Sequence, residues 1–452
     1  MSEAYQGKQI EIGGLLDAPG AWNRRKLAPV LLGLLMLFDS WDGVMIAFVM
    51  PTLSQEWNLD PVAMGWLMSS GYAGQLVGAL VLGAFAERWG RKPVYSIAVA
   101  IMCVFSLACA LTHSPQQLAA LRFIQGLAIG GAVPVCASYI NEIAPTQTRG
   151  RFFSVFQFLM ISGYGAAAVS SSFIIEHFGW RMMFLLGAAP LLVLPFSLAL
   201  LPESPRWLAR MGRFEAAVRA ILQLGGPRDS KLCDHGALDE APLQSEAQKA
   251  RLSEIFSSGV RAPLGVMVSL WFLTSLVNYG LVNWVPSIYV SEFHIPVPQA
   301  LRFSAISMVL VLFIPMLLGV VMDKVGRRPL AIAGTLAGGL VLLSLMLVES
   351  NVPLLVTLVV LGHTGIGIGT IILWPYSAEV FPTRVRALAL GICSSSARTA
   401  SMLTPLMVGG LIAKTGSVNP VFALFGALGV LVSAIWFFAT RETKGVRVDE
   451  VA

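Results

Sequence analysis

Apolar runs of membrane-crossing length alternate with short polar stretches along almost the whole chain. Six runs fall at 27–49, 63–86, 93–112, 117–140, 152–175 and 180–201. A polar stretch follows at 202–262. Six more runs fall at 263–289, 301–322, 329–348, 353–377, 387–412 and 419–440. At about 1.5 Å rise per residue, each can cross a bilayer as a helix. The pattern predicts an all-α polytopic membrane protein with twelve transmembrane helices in two pseudo-symmetric six-helix bundles. The expected organisation is an amino-terminal tail at 1–26, a first bundle at 27–201, a linker at 202–262, a second bundle at 263–440 and a carboxy-terminal tail at 441–452. Within the linker, 211–223 has helical spacing of apolar residues, which predicts a short surface helix.

Composition agrees with this class. The chain has 452 residues, 56% hydrophobic and only 12% charged, which a water-soluble core cannot hide. Its net charge of +6 does not point to nucleic acid, because the cations sit in short loops between spans. Arg24, Arg25 and Lys26 precede the first span. Arg88, Arg91 and Lys92 follow the second, and Arg149 and Arg151 the fourth. Lys324, Arg327 and Arg328 follow the eighth, and Arg384 and Arg386 the tenth. Cations on one side place that side in the cytoplasm. Both termini and the linker, which carries Arg206, Arg210, Asp229, Lys231, Glu240 and Glu246 among its charges, are expected there. Residues 1–20 are polar and the first run is too long for a signal-peptide core, so no cleavable leader is expected. Of the five cysteines, Cys103, Cys109, Cys136 and Cys393 lie in apolar spans, Cys233 does not, and no two form a CxxC pair. Neither a disulfide framework nor a metal site is expected.

An internal repeat divides the chain. Gly83-Ala-Phe-Ala-Glu87-Arg88-Trp-Gly90-Arg91-Lys92-Pro93 follows the second span, and Gly319-Val-Val-Met-Asp323-Lys324-Val-Gly326-Arg327-Arg328-Pro329 follows the eighth. Two parallel halves are implied, with a substrate site between them. Gly83 and Gly319 are expected to allow close helix contact. The acids and following arginines are expected to form a charge latch.

The doubled motif resembles that of the major facilitator superfamily, and the resemblance covers the whole chain. Other stretches resemble its sugar-porter-related branch, which includes aromatic acid:proton symporters and organic anion transporters. These are Arg122-Phe-Ile-Gln125-Gly126, Glu142-Ile-Ala-Pro145-Thr-Gln-Thr-Arg149-Gly150, Pro202-Glu203-Ser204-Pro205-Arg206-Trp207, Glu379-Val-Phe-Pro382-Thr-Arg384-Val-Arg386 and Glu442-Thr443-Lys444-Gly445. The resemblance implies gating roles for Gly83, Glu87, Arg88, Gly90, Arg91, Gly319, Asp323, Gly326, Arg327, Glu142, Arg149, Glu379 and Arg384.

Intramembrane charges carry the candidate chemistry. Asp39 and Asp42 are three residues apart, so a helix puts them on one face. A carboxylate at a helix centre costs roughly 2.5–3.5 kcal/mol on insertion scales, so this face must meet a cavity, a cation or a proton. Two close, buried carboxylates also favour a bound proton, which suits coupling. The pair resembles the Asp-Gly-Phe-Asp motif of aromatic acid:proton symporters, with Ser40 and Trp41 in the middle positions. Arg122 can pair with an aspartate or hold a substrate carboxylate. Arg398, in Ser394-Ser-Ser-Ala-Arg398-Thr-Ala-Ser401, matches a stretch where organic anion transporters carry Arg. It can anchor a substrate carboxylate or pair with a protein one. Asn278, Asn283, Trp284, Gln157, Tyr164, Trp374, Tyr376 and Trp41 are further substrate-site candidates, and His363 is a titratable one.

No Walker motif appears, helix 5 lacks the Gly-Pro antiporter signature, and no hydrolase or zinc-protease motif occurs. The expectation is a non-enzymatic carrier without cofactor, acting as a monomer in the inner membrane. It would import a small, aromatic carboxylate with protons, and bind no nucleic acid. Alternatives are a sugar, polyol or other metabolite carrier and a transporter-like membrane sensor. Against the sugar reading, the seventh span lacks the paired glutamines of sugar porters.

Overall fold

In the computed structural model of this protein, residues 12, 14–18, 22–226, 258–348 and 351–444 are described. Cys233, Asp229, Lys231, Glu240, Glu246 and Gly445 lie outside them. The first half comprises α1 (Asn23–Glu56), α2 (Pro61–Trp89), α3 (Arg91–Ala110), α4 (Pro115–Ile143), α5 (Arg149–Phe178), α6 (Arg181–Gly187) and α7 (Pro190–Leu200). Two surface helices follow, α8 (Pro205–Arg210) and α9 (Phe214–Gln223), the latter within the stretch where a surface helix is predicted. The second half comprises α10 (Ser258–Ser291), α11 (Val297–Val325), α12 (Arg327–Ser344), α13 (Val352–Val380), α14 (Thr383–Thr415) and α15 (Asn419–Ala439). The sixth predicted span appears as α6 and α7, interrupted just before Pro190, which cannot donate a ladder hydrogen bond.

Among the described residues, ten helical segments cross-qualify as spans on length and hydropathy, α6 and α7 counting together. Two others complete the twelve. α11 is apolar over Val297–Leu310, and α14 is diluted by Arg384, Arg386, Arg398 and Lys414. Local sequence fixes the helix starts. Asp60 accepts from Ala63 N at 2.6 Å ahead of Pro61, and Ser114 and Asn351 cap α4 and α13 in the same way. Gly90 and Gly326 break α2 from α3 and α11 from α12. Their φ values of 104° and 108° suit glycine alone.

Within the first half, α1 packs on α5 and α2 on α4. Within the second, α10 packs on α14, and α12 on α13 and α15. Between halves the contacts are α2 with α14, α5 with α11 and α1 with α10. The buried apolar residues form three clusters. One draws on both halves, including Phe48, Met68, Leu281, Trp284 and Phe422. The others belong to single halves. One includes Tyr95, Tyr139 and Trp207, the other Trp271, Phe381 and Trp436. The shared cluster comes from the helix ends away from the repeated charged loops. The halves are therefore joined at that end and separate at the charged end.

This split explains one departure from the sequence expectation. A Cβ at Gly83 or Gly319 would meet nothing within 4 Å. Both lie toward the end where the halves part, so the expected close helix contact is absent there. Backbones approach closely elsewhere. Gly74 and Gly78 of α2 face the Phe123 and Leu127 carbonyls of α4. At the joined end a Cβ on Gly65 would overlap the Pro405 carbonyl, and one on Gly409 the Pro61 carbonyl. Ser69 Oγ donates to the Met402 carbonyl at 2.7 Å beside them.

Overpacking such a contact costs about 1–3 kcal/mol. Gly65→Val or Gly409→Val should therefore part the joined end and shift the population toward the opposite opening. Spin labels at Asn58→Cys and Lys414→Cys, one on each half, should move apart in either variant. An unchanged distance distribution would refute this.

Candidate functional site

Between the halves lies a cavity of about 300 Å³. Its wall repeats at helical spacing. Gln157, Met160, Ile161 and Tyr164 come from α5, and Asn278, Tyr279 and Val282 from α10. His363, Gly367, Thr370, Ile371 and Trp374 come from one face of α13, with Val44 from α1 and Met308 from α11. Helix direction orders these residues. Gln157 and Trp374 lie toward the charged end, where the halves part, and Trp374 is 57% exposed. Val44, Val282, Met308 and His363 lie toward the joined end. The wall is thus mostly apolar and aromatic with a few polar groups, as small-molecule sites are.

Two buried acids lie beside it. Asp42 is fully buried, and Arg122 Nη1 stands 3.3 Å from its Oδ1 without hydrogen-bond geometry. Arg122 Nη2 donates to the Asp42 carbonyl at 3.0 Å, and Nη1 to Gln125 Oε1 at 2.8 Å. Gln125 Nε2 in turn donates to the Met102 carbonyl. Gly71 leaves room for this guanidinium, since a Cβ there would come 3.3 Å from Nη2. Asp39, one turn earlier, is buried and its Oδ1 has no hydrogen-bond partner. Arg398 of α14 reaches across the halves and donates through Nη1 to the carbonyls of Gly130 at 2.8 Å and Gln75 at 3.4 Å. Asp39, Tyr164 and Tyr279 lie within electrostatic reach of it.

At the charged end each half builds its own ion network. Arg91 Nη2 meets Glu87 at 2.8 Å and Glu142 at 2.9 Å, and Arg210 joins Glu142 at 2.8 Å. Arg327 meets Asp323 at 3.3 Å and Glu379 at 3.2 Å. Arg88 and Arg384 are exposed, and Arg149 is half-buried at the start of α5. A second acid completes each network. Glu203 accepts from the main-chain N–H of Arg91 and Lys92, and Glu442 from those of Arg327 and Arg328. Each thereby caps the helix that follows the repeated loop.

The family profile for sugar (and other) transporters matches residues 39–452. The chain belongs to this family. It is 29% identical over 433 residues to the niacin transporter NiaP of Acinetobacter baylyi, covering 93% of this chain and 95% of that one. It is 30% identical over 418 residues to a gallate transporter of Pseudomonas putida, covering 92% and 91%. Its fold matches the crystal structure of a D-xylose-proton symporter with TM-score 0.73 at 21% identity, covering 93% of this chain and 98% of that one. These relatives and neighbours are membrane transporters, not enzymes.

In this family member, the structure gathers only part of the expected site. Gln157, Tyr164, Asn278, Trp374 and His363 line the cavity. Asn283 does not. It is fully buried, accepting from Tyr72 Oη at 3.2 Å and donating to the Tyr279 carbonyl at 2.7 Å, and so ties α2 to α10. Trp284 packs beside Gly409 in the joined cluster. Trp41 donates to the Met183 carbonyl within the first half. Tyr376 packs on Trp436 and donates to the Arg441 carbonyl, near the charged end. Arg122 is engaged with Asp42 rather than the cavity wall.

Sequence reading missed Tyr72, Tyr279, Met308 and Thr370. One mid-span tyrosine looks like any packing residue. It also missed that Glu203-Ser204 and Glu442-Thr443 are a second repeat, one after each half. That signal was available as an acid and a hydroxyl residue just beyond the sixth and twelfth spans.

The two caps differ in charge balance. Burial pushes the Glu203 carboxyl up, outweighing its main-chain donors. For Glu442 burial also pushes upward, but four main-chain N–H groups together hold it below the ordinary value near 4.5. A depressed carboxyl stabilises the fold above its unfolded value and loses that contribution as pH falls. A raised carboxyl does the reverse. Glu442→Gln should therefore lower stability at pH 7 by a cap's worth, on the order of 1–2 kcal/mol, and by less at pH 4. Glu203→Gln should cost less than Glu442→Gln at pH 7. Thermal unfolding in detergent at both pH values measures this, and equal penalties for Glu442→Gln at pH 4 and pH 7 would contradict it.

Proposed function

We propose that this transporter imports a small aromatic carboxylate by proton symport with alternating access across a bacterial plasma membrane. The observation that carries the reading is the set of buried Asp39, Asp42 and Arg122 and half-buried Arg398 within the spans, together with an aromatic, amide-bearing cavity between the halves. Asp42 is already compensated by Arg122. Both acids have buried oxygens without a hydrogen-bond partner, but Asp39 has no ion-pair partner among the described residues and is the better proton carrier of the two. Proton binding at Asp39 would remove a charge whose field reaches Arg398, and so release that guanidinium toward an incoming carboxylate. Relatives named for niacin and gallate, both ring carboxylates, support the substrate class.

In this reading Arg398 is the anion anchor. Its Nη1 rests on main-chain carbonyls, which are neutral acceptors. A carboxylate offers a charge-assisted bidentate alternative. Gln157, Tyr164, Asn278 and Trp374 would enclose the ring. Residues 1–26, 202–262 and 441–452 are cytoplasmic, so the split end opens inward. Gly83, Glu87, Arg88, Gly90, Arg91, Glu142 and Arg149, with Gly319, Asp323, Gly326, Arg327, Glu379 and Arg384, would serve closure of that end. The bundles span 27–201 and 263–440, and the chain acts as a monomer.

Asp39→Asn should abolish uphill uptake in vesicles under an imposed pH difference while leaving carboxylate binding measurable. Asp42→Asn should impair both, because it strips Arg122 of its counter-charge. Full accumulation by both variants would remove the coupling role. Arg398→Ala should weaken binding of benzoate by two to four decades, the scale of about 3–5 kcal/mol for breaking a buried pair. Arg398→Lys should recover only part of that loss. Calorimetry against benzoate and benzamide decides the role: an acid-over-amide preference that survives in Arg398→Ala would take Arg398 out of the site.

A further inference from the structure

We propose that the second half binds an anionic phospholipid from the leaflet bordering the charged end, its phosphate on Arg441 and an acyl chain in a groove between α10, α13 and α15. The groove is a second cavity, of about 340 Å³, where α10 begins and α13 and α15 end. It shares no lining residue with the cavity between the halves. Its room comes from the sequence. Gly259, Ala262 and Pro263 recur at i, i+3 and i+4, so one face of the first turns of α10 is small. Ala439, the last residue of α15, is small as well. Val266 and Met267 continue the α10 face further in and make the wall apolar.

The hydroxyls on this wall are satisfied within the protein. Tyr376 Oη donates to the Arg441 carbonyl at 2.8 Å and accepts from the Arg441 N–H at 3.2 Å. Thr440 Oγ1 donates to the Trp436 carbonyl at 2.6 Å. The Arg441 guanidinium is different. Arg441 lines the groove and is exposed, and no ion pair of its side chain occurs among the described residues. The acids of this end are engaged elsewhere, Glu379 with Arg327 and Glu442 with the main-chain N–H groups of Arg327 and Arg328. Arg261, in the first turn of α10, is a second exposed cation without an ion pair among the described residues.

An apolar groove with a cation at its mouth, held in place through its main chain by Tyr376, complements an amphiphile with an anionic head. A free phosphate would use the cation and leave the groove empty. A neutral apolar ligand would fill the groove and leave the cation uncompensated. The level along the spans also fits a lipid. Phe437 and Phe438, 54% and 82% exposed, carry the apolar surface of α15 to within four residues of Arg441. Aromatic residues gather where spans meet the headgroups, and basic pockets between spans at that depth hold phospholipid heads.

The test is native mass spectrometry of the purified full chain titrated with dioleoyl phosphatidylglycerol or dioleoyl phosphatidylcholine. Wild type should bind phosphatidylglycerol about fivefold tighter than phosphatidylcholine, the scale of one interfacial cation. Arg441→Ala should remove that margin, and Arg441→Lys should keep most of it. Ala439→Trp and Ala262→Leu, which fill the groove without touching a charge, should weaken both lipids. A phosphatidylglycerol with a photoreactive acyl chain should label α10 between residues 259 and 267. Equal binding of the two lipids by wild type, a margin that survives Arg441→Ala, or labelling confined to other helices overturns the assignment. Displacement of phosphatidylglycerol by equimolar glycerol phosphate also overturns it, because the ligand would then be a soluble anion.

Discussion

The cost of charge inside a low-dielectric span is the constraint on which the centre of this structure depends. The carboxylates Asp39 and Asp42 and the guanidinium groups of Arg122 and Arg398 lie within otherwise apolar helices. The fold answers each differently. Asp42 and Arg122 compensate each other and are tied to α3 through Gln125. Arg398 is satisfied by backbone carbonyls of the other half, which are exposed where Gly130 lets α2 and α4 nearly touch. Asp39 has no ion-pair partner among the described residues, and its Oδ1 accepts no hydrogen bond. The close helix contacts and the charge pattern are thus one design: small residues bring the carbonyls near enough to serve as ligands.

A related economy governs the charged end. Each half ends its second helix at a positive-φ glycine and begins its third with an arginine that bridges two acids. A further acid from beyond the end of that half caps the new helix. Among the described residues, none of these ion pairs crosses between the halves. The networks therefore brace each half on its own, and the junction between them is made by apolar packing, the α2–α14 backbone contact, the Tyr72–Asn283 and Arg398 hydrogen bonds and an Arg302–Glu176 ion pair at 3.2 Å.

Much of this was legible in the chain. Period and run length yield the twelve spans, because a bilayer imposes a length and an apolarity that sequence must satisfy directly. The doubled Gly-x-x-x-acid motif marks the half boundary because the same loop geometry is needed twice. Asp39, Asp42, Arg122 and Arg398 stand out because charge in an apolar run is rare. The cavity wall was only partly legible. Asn283 and Trp284 share a span with Asn278 and look alike in sequence, yet the turn of α10 points Asn283 at Tyr72 and Trp284 at Gly409. Which face of a helix meets the partner half depends on tertiary packing, and Gly83 shows the same limit. Its small size suggests contact, but a Cβ there would meet nothing within 4 Å.

The division of the core into one shared cluster and two private ones has a consequence for the lipid around it. The shared cluster draws on the helix ends away from the repeated charged loops, and the private clusters draw on the other ends. Bundles joined at one end and parted at the other would present a narrower cross-section to the leaflet at the joined end than to the opposite one. Exchanging the open end moves area from one leaflet to the other without changing the number of spans. The equilibrium between the two openings then carries a work term set by the lateral pressure difference between leaflets. Lipids with small headgroups in one leaflet and large ones in the other would act as ligands of conformation, shifting the population without touching the cavity.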